Sequence, residues 1–139
     1  MKKFIASLIA VFALLTIGTT QQAMANNEPA NMQSERVVSR SYYTGTIGNN
    51  MHITMYLERH DNGEYSGWYY YNKYGEKNKL YLVGEKDTDG LVKLFEFNDK
   101  NQLTAGFEGT FNRYGEFVGI MYVVHSGKRY SCKFFPANF

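Results

Sequence analysis

The amino-acid sequence predicts an all-β protein, a single antiparallel up-and-down meander of about eight strands that closes as a small barrel or a β-sandwich. Three observations carry this. From Arg40 onward, β-branched and aromatic stretches alternate with clusters of Gly, Asn, Asp and Ser, at intervals of about 10 to 15 residues. All 12 tyrosines and the lone Trp68 fall in this part of the chain, a composition suited to pleated, half-buried surfaces. No stretch carries the 3.6-residue period of an amphipathic helix.

The elements follow in order. Ser41–Ile47 is the first strand, with Gly45 inside it. In Met51–Arg59, Ile53, Met55 and Leu57 share one face while His52, Thr54, Tyr56 and Glu58 share the other, so this strand is half-buried. Tyr65–Tyr71 holds the dense run Trp68-Tyr69-Tyr70-Tyr71, and alternation sends Trp68 and Tyr70 to one face and Tyr69 and Tyr71 to the other. Lys79–Val83 and Leu91–Phe97 are short apolar strands on either side of Asp89-Gly90. Thr104–Phe111 sets Phe107 and Phe111 against Thr104, Glu108 and Thr110. Phe117–Val124 is the seventh strand, and in Arg129–Phe135 the residues Tyr130, Cys132 and Phe134 alternate inward. Glycines within strands (Gly45, Gly67, Gly106, Gly109, Gly119) fit sharp bends or bulges at barrel corners.

The connections are equally regular. Gly48-Asn49-Asn50, Asp61-Asn62-Gly63, Asp89-Gly90 and Ser126-Gly127 supply residues that tolerate positive φ, as tight hairpins require. Asn72-Lys73-Tyr74-Gly75-Glu76 recurs as Asn112-Arg113-Tyr114-Gly115-Glu116. A type I turn opened by Asn and closed by a left-handed Gly explains the spacing, and the poor match of the flanking strands favours one good hairpin turn used twice over an old duplication.

Ahead of this domain the chain reads differently. Lys2 and Lys3 precede an uncharged apolar run from Phe4 to Gly18, and Ala23-Met24-Ala25 supplies a small-x-small cleavage site. Residues 1–25 are therefore expected to be a cleaved signal peptide, since the run is shorter than the ~20 residues of a spanning helix. Residues 26–39, polar and broken by Pro29, are expected to be a flexible leader, with residues 40–139 forming the all-β domain. The expected product is exported and soluble, periplasmic or extracellular, with no membrane anchor after signal cleavage. Without Lys2 and Lys3 the 15 basic residues fall to 13, matching the 13 acidic ones. A neutral chain with no long Lys/Arg block points away from nucleic-acid partners. A single cysteine, Cys132, allows no internal disulfide and reads as a small buried hydrophobe.

Motifs for chemistry are sparse. Glu85-x-Asp87-x-Asp89-Gly90-x5-Glu96 has the spacing of a calcium-binding helix–loop–helix segment, but its flanks are strand-like, so Asp87–Gly90 reads as a hairpin turn. His52, His60 and His125 lie in different segments without metal-ligand spacing. No nucleophile elbow or phosphate-binding glycine loop is present. The reading is of a non-enzyme without cofactor or metal. A hydrolase would need carboxylates meeting across strands, with Glu58 and Glu108 as the example pair.

One short stretch, Ser126-Gly127-Lys128-Arg129-Tyr130, resembles the Ser-Gly-x-x-Tyr loop of bacterial periplasmic lysozyme inhibitors. The resemblance covers five positions, three of them defined, and implies that Ser126 and Tyr130 enter a lysozyme cleft. The disulfide of some of these inhibitors cannot form within this chain.

Together these observations favour an exported, non-enzymatic binding or interaction module whose partner, a protein, a glycan or a small molecule, is not legible in the residues. Trp68, Tyr70 and Tyr74 of the aromatic run and the loop residues Ser126 and Tyr130 are the candidate contacts, because Tyr and Trp offer large rigid area with a polar tip, and whichever face of the run is not core is left toward solvent, a lumen or a partner. Alternatives are the lysozyme inhibitor and a lipocalin-like or avidin-like carrier whose lumen, lined by Trp68 and Phe107, holds a small apolar molecule.

Overall fold

The structure is a computed structural model that describes residues 36–138. The expected signal peptide, and the leader up to residue 35, lie outside the described residues. Eight strands follow in sequence order: β1 (Val37–Ile47), β2 (Met51–His60), β3 (Glu64–Tyr71), β4 (Leu80–Lys86), β5 (Val92–Phe97), β6 (Leu103–Phe111), β7 (Phe117–Val123) and β8 (Arg129–Ala137). Each pairs antiparallel with the next, and β1 pairs with β8 from Tyr42 opposite Ala137 to Ile47 opposite Cys132. That last pairing makes the sheet a closed barrel rather than a sandwich and leaves no open edge.

Every expected strand is present, with shifted ends. β1 starts at Val37, so Val37 to Ser39 are strand and not leader; the ten-residue β2 offers them backbone partners in His60 and Arg59 across a register shift. The glycines also act differently from expectation. The register shifts fall between Val37 and Ser39 and at the β5–β6 pair by Glu96 and Phe97, not at the strand glycines. Gly45 and Gly67 instead permit close approach of neighbouring strands: a Cβ at Gly67 would collide with the Tyr56 carbonyl oxygen, and one at Gly45 with that of Lys133.

The repeated Asn-x-Tyr-Gly-Glu sequence serves two structures. In 112–116 Asn112 opens a hairpin turn, its Oδ1 accepting from the backbone N–H of Tyr114 at 2.9 Å and of Glu116 at 3.0 Å, and Gly115 closes it at φ 79°. In 72–76 the turn hangs on the Tyr71 carbonyl, which accepts from Tyr74 and Gly75, while Asn72 Oδ1 accepts instead from Thr54 Oγ1 at 2.7 Å. The chain then enters a short 3-10 turn, Glu76–Asn78, before β4. Asp87–Gly90 is the expected turn, with Asp87 Oδ1 capping the N–H groups of Asp89 and Leu91 at 2.9 Å.

The lumen is filled by the apolar faces of the strands. Ile53, Met55 and Leu57 from β2, Leu94 from β5, Phe107 from β6, Phe117 from β7 and Phe134 from β8 are all buried. Phe117 stacks on Phe134 at 5.5 Å, and Phe107 meets Phe134 and Tyr69 edge-on at 5.9 and 5.6 Å. The gap among Tyr43, Met55, Leu57, Leu94, Phe111, Phe117 and Phe134 is too tight for a water molecule. An eight-stranded barrel has an interior of this kind, wide enough for its own side chains. Cys132 is among the core residues, and burial pushes its thiol up to about 12. It should therefore resist thiol reagents in the native protein and react only on unfolding, a contrast that a colorimetric thiol assay with and without denaturant checks.

Candidate aromatic binding face

The outer wall of β1 to β4 carries the candidate site. Strand alternation separates the two pairs as the sequence predicts, and the structure turns Tyr69 inward, fully buried, leaving Trp68 and Tyr70 on the outer side. The register then lines up residues across strands: Tyr42 lies opposite Tyr56, Tyr56 opposite Trp68, and Trp68 opposite Tyr81. The result is an aromatic row crossing four adjacent strands, a span of about 14 Å at the ordinary strand spacing. Its members touch. Tyr42 and Tyr56 centroids are 4.9 Å apart, Tyr56 stacks on Trp68 at 5.6 Å, and Trp68 stacks on Tyr70 at 6.0 Å with planes 14° apart. Tyr42 is 41% and Tyr81 48% exposed.

Polar groups frame the row. The 3-10 turn after Gly75 delivers Lys79, whose Nζ sits 4.0 Å from the Trp68 ring centroid and 3.9 Å from Glu76 Oε2. On the other flank Tyr56 donates its hydroxyl to Glu58 Oε2 at 2.6 Å, and Arg40 lies 3.7 Å from the same carboxylate. His60 Nε2 is 2.9 Å from Ser66 Oγ. The face therefore offers apolar ring area with hydroxyl, carboxylate and ammonium groups at its margins. Cross-strand aromatic pairs stabilise a sheet by themselves, yet the lumen is filled by other side chains.

The remaining predicted contacts are not drawn into this row. Tyr74 is 62% exposed and meets Tyr71 edge-on at 6.4 Å, beside Lys73. Ser126 is exposed in the β7–β8 hairpin and its Oγ accepts from the Lys128 backbone N–H at 3.2 Å. Tyr130 is partly buried against the core, so it does not share the exposed tip with Ser126. The carrier reading placed Trp68 in the lumen; it stands on the outer wall, because its alternation partner Tyr69 takes the inward place. Glu58 on β2 lies beside Arg40 and Ser66, and Glu108 on β6 beside Lys93 and Ile120, so the two carboxylates do not meet across neighbouring strands. Among the described residues no three His, Cys, Asp or Glu side chains gather as a metal site would require.

Sequence reading missed Tyr42, Tyr81 and Lys79 as partners of Trp68. Tyr56 carried a usable signal, since alternation already set it opposite the buried Ile53, Met55 and Leu57. It also missed a polar site inside the barrel. Glu96 is 4% exposed, on the lumen side of β5 between Leu82 and Ala105 in register. Tyr69 Oη hydrogen-bonds to its Oε1, and Thr104 Oγ1 donates to Oε2 at 2.6 Å. The signal was an acid inside the apolar segment Leu91–Phe97, in step with Val92 and Leu94.

No protein-family model, no curated protein sequence and no solved structure matches this chain.

Proposed function

We propose that this protein is an exported, non-enzymatic binding module whose contact surface is the aromatic face of β1 to β4. The observation that carries the reading is the outer row Tyr42, Tyr56, Trp68 and Tyr81, successive partners in cross-strand register, on a barrel whose core needs none of them. The outward register also carries charge, in Arg40, Glu58, Glu85, Lys93, Glu108 and Lys133, whereas a membrane barrel turns an apolar band outward. A water-facing wall with a row of rings suits recognition in solution.

Polysaccharide chains are the ligand class that fits such a row first, because sugar rings present apolar C–H faces for stacking and hydroxyls for the flanking Glu58, Arg40 and Lys79. Retention of the purified protein on insoluble cell-wall polysaccharide tests this. The wild type should be retained, and Trp68→Ala combined with Tyr56→Ala should weaken retention at least about tenfold, the loss of ~1.4 kcal/mol. Equal retention of both proteins would overturn the assignment of the face. Export has its own check: mass spectrometry of the exported fraction should find a mature amino terminus at Asn26, and a chain retained in the cytoplasm with Met1 intact would contradict it.

A second reading, the lysozyme inhibitor, is favoured by one observation: every residue from Val124 to Arg129 is exposed on the β7–β8 hairpin, as a protruding plug requires. Ser126→Ala should relieve suppression of cell-wall lysis without loss of stability. Tyr130→Ala should instead lower the melting temperature, because that ring packs on the core. Absence of suppression against lysozymes of several classes would rule the reading out.

A further inference from the structure

The buried Glu96 site is a chain of hydrogen-bonding groups whose direction depends on whether Glu96 carries a proton. Tyr69 Oη has one hydrogen but two neighbours in hydrogen-bond range, Glu96 Oε1 and, at 3.4 Å, Tyr71 Oη. Tyr71 Oη in turn lies 3.9 Å from Met121 Sδ, a weak acceptor with nothing to donate. If Glu96 carries the proton, one directional chain satisfies all of them: Glu96 donates to Tyr69, Tyr69 to Tyr71 and Tyr71 to Met121. If Glu96 is ionised, Tyr69 must turn its hydrogen to the carboxylate, Tyr71 turns to Tyr69, and the chain reverses with the Met121 contact given up.

The surroundings favour the neutral form. Leu82 and Ala105 lie opposite Glu96 in register. Tyr69 and Tyr71 on β3, Tyr130 and Cys132 on β8, Thr104 on β6 and Met121 on β7 face the cluster, none of them a cation. None of the ion pairs among the described residues includes Glu96. An ionised carboxylate so placed is costly. A local distortion serves the site as well: Glu96 pairs with Ala105 and Phe97 with Leu103, so Thr104 is the extra residue of a bulge, and its hydroxyl reaches Oε2. Bulges re-aim side chains in this way.

We infer that Glu96 is a proton-binding site inside the barrel, occupied in the folded protein, and that loss of its proton leaves a buried charge with no cation facing it, reverses the Glu96–Tyr69–Tyr71 chain, and loosens the end of the barrel where β3, β5 and β7 finish. Burial raises the Glu96 carboxyl above its ordinary range, against the opposing effect of the Thr104 and Tyr69 hydrogen bonds. The sign follows: the stability gained is fully present below the unfolded-state pKa and is lost as pH rises through the higher folded-state value.

Two measurements on the whole purified protein test this. Thermal melts from about pH 4 to about pH 9 should show wild-type stability falling as pH rises, by at least about 5 °C relative to Glu96→Gln. That variant keeps an N–H donor for Tyr69 and an acceptor for Thr104, and cannot ionise, so histidines and surface carboxylates cancel in the comparison. Infrared difference spectra should show a neutral carboxylic acid C=O band in the wild type at neutral pH that fades on alkalinisation. This reading needs no variant, so it stands if Glu96→Gln fails to fold. Absence of the band at neutral pH, or identical pH profiles for the two proteins, would overturn the proposal.

Discussion

Phe107→Ala should lower the stability of the barrel by about 4 kcal/mol, a loss read as a melting temperature about 20 °C lower. Phe107 is fully buried and joins Phe134 to Tyr69 by edge-on contacts, so its removal opens a cavity at the meeting point of β3, β6 and β8. The lumen has no spare volume to redistribute and no second layer to collapse inward, since its walls are held by a closed hydrogen-bonded ring. A domain of this size has only about 5 to 15 kcal/mol in total, so the variant should unfold near physiological temperature. Calorimetry checks it; a decrease of only a degree or two would mean that Phe107 is not packed as described.

Gly67→Ala should be comparably damaging, by about 3 kcal/mol, for a different reason. Gly67 lies between Leu57 on β2 and Leu82 on β4, and its missing side chain lets β3 press against the Tyr56 carbonyl. A methyl group there must push β2 and β3 apart. Tyr56 and Trp68 face each other across that same pair of strands, so the substitution should also separate the two stacked rings. Two readouts therefore move together, a lower denaturation midpoint and an altered Trp68 emission in the native state. An unchanged midpoint would show that the strands have room.

Much of this architecture was legible because it is local. The two-residue alternation of Ile53, Met55 and Leu57 against Thr54, Tyr56 and Glu58 fixes a strand and its buried side without knowledge of any partner. The hairpin residues Asp61-Asn62-Gly63 and Ser126-Gly127 fix where it turns. Barrel closure was not legible, because it rests on β1 meeting β8 at opposite ends of the domain, and a meander of eight strands is equally the raw material of a sandwich. The early start of β1 escaped for the same reason: Val37 and Val38 look like leader until β2 is seen to extend far enough to pair with them. The echo at Asn72 and Asn112 misled because Asn72 has a competing partner, Thr54, on the neighbouring strand.

The candidate face was half legible. Alternation separated Trp68 and Tyr70 from Tyr69 and Tyr71 correctly, but which pair faces the lumen depends on the curvature of the sheet. Tyr42 and Tyr81 join the row only through cross-strand register, which one sequence does not state. Glu96 was visible as an acid in an apolar strand, and its meaning came from Thr104, whose place as a bulge residue depends on the β5–β6 register.

The proposed contact surface is the outer aromatic face, and not the lumen or the hairpin tips. Trp68 is the only tryptophan and sits in the middle of the row, so its fluorescence reports on that face alone. Titration with solubilised cell-wall polysaccharide fragments should shift Trp68 emission saturably, with the change lost in Tyr56→Ala. Binding detected by calorimetry with Trp68 emission unmoved would contradict the account and direct attention elsewhere on the barrel.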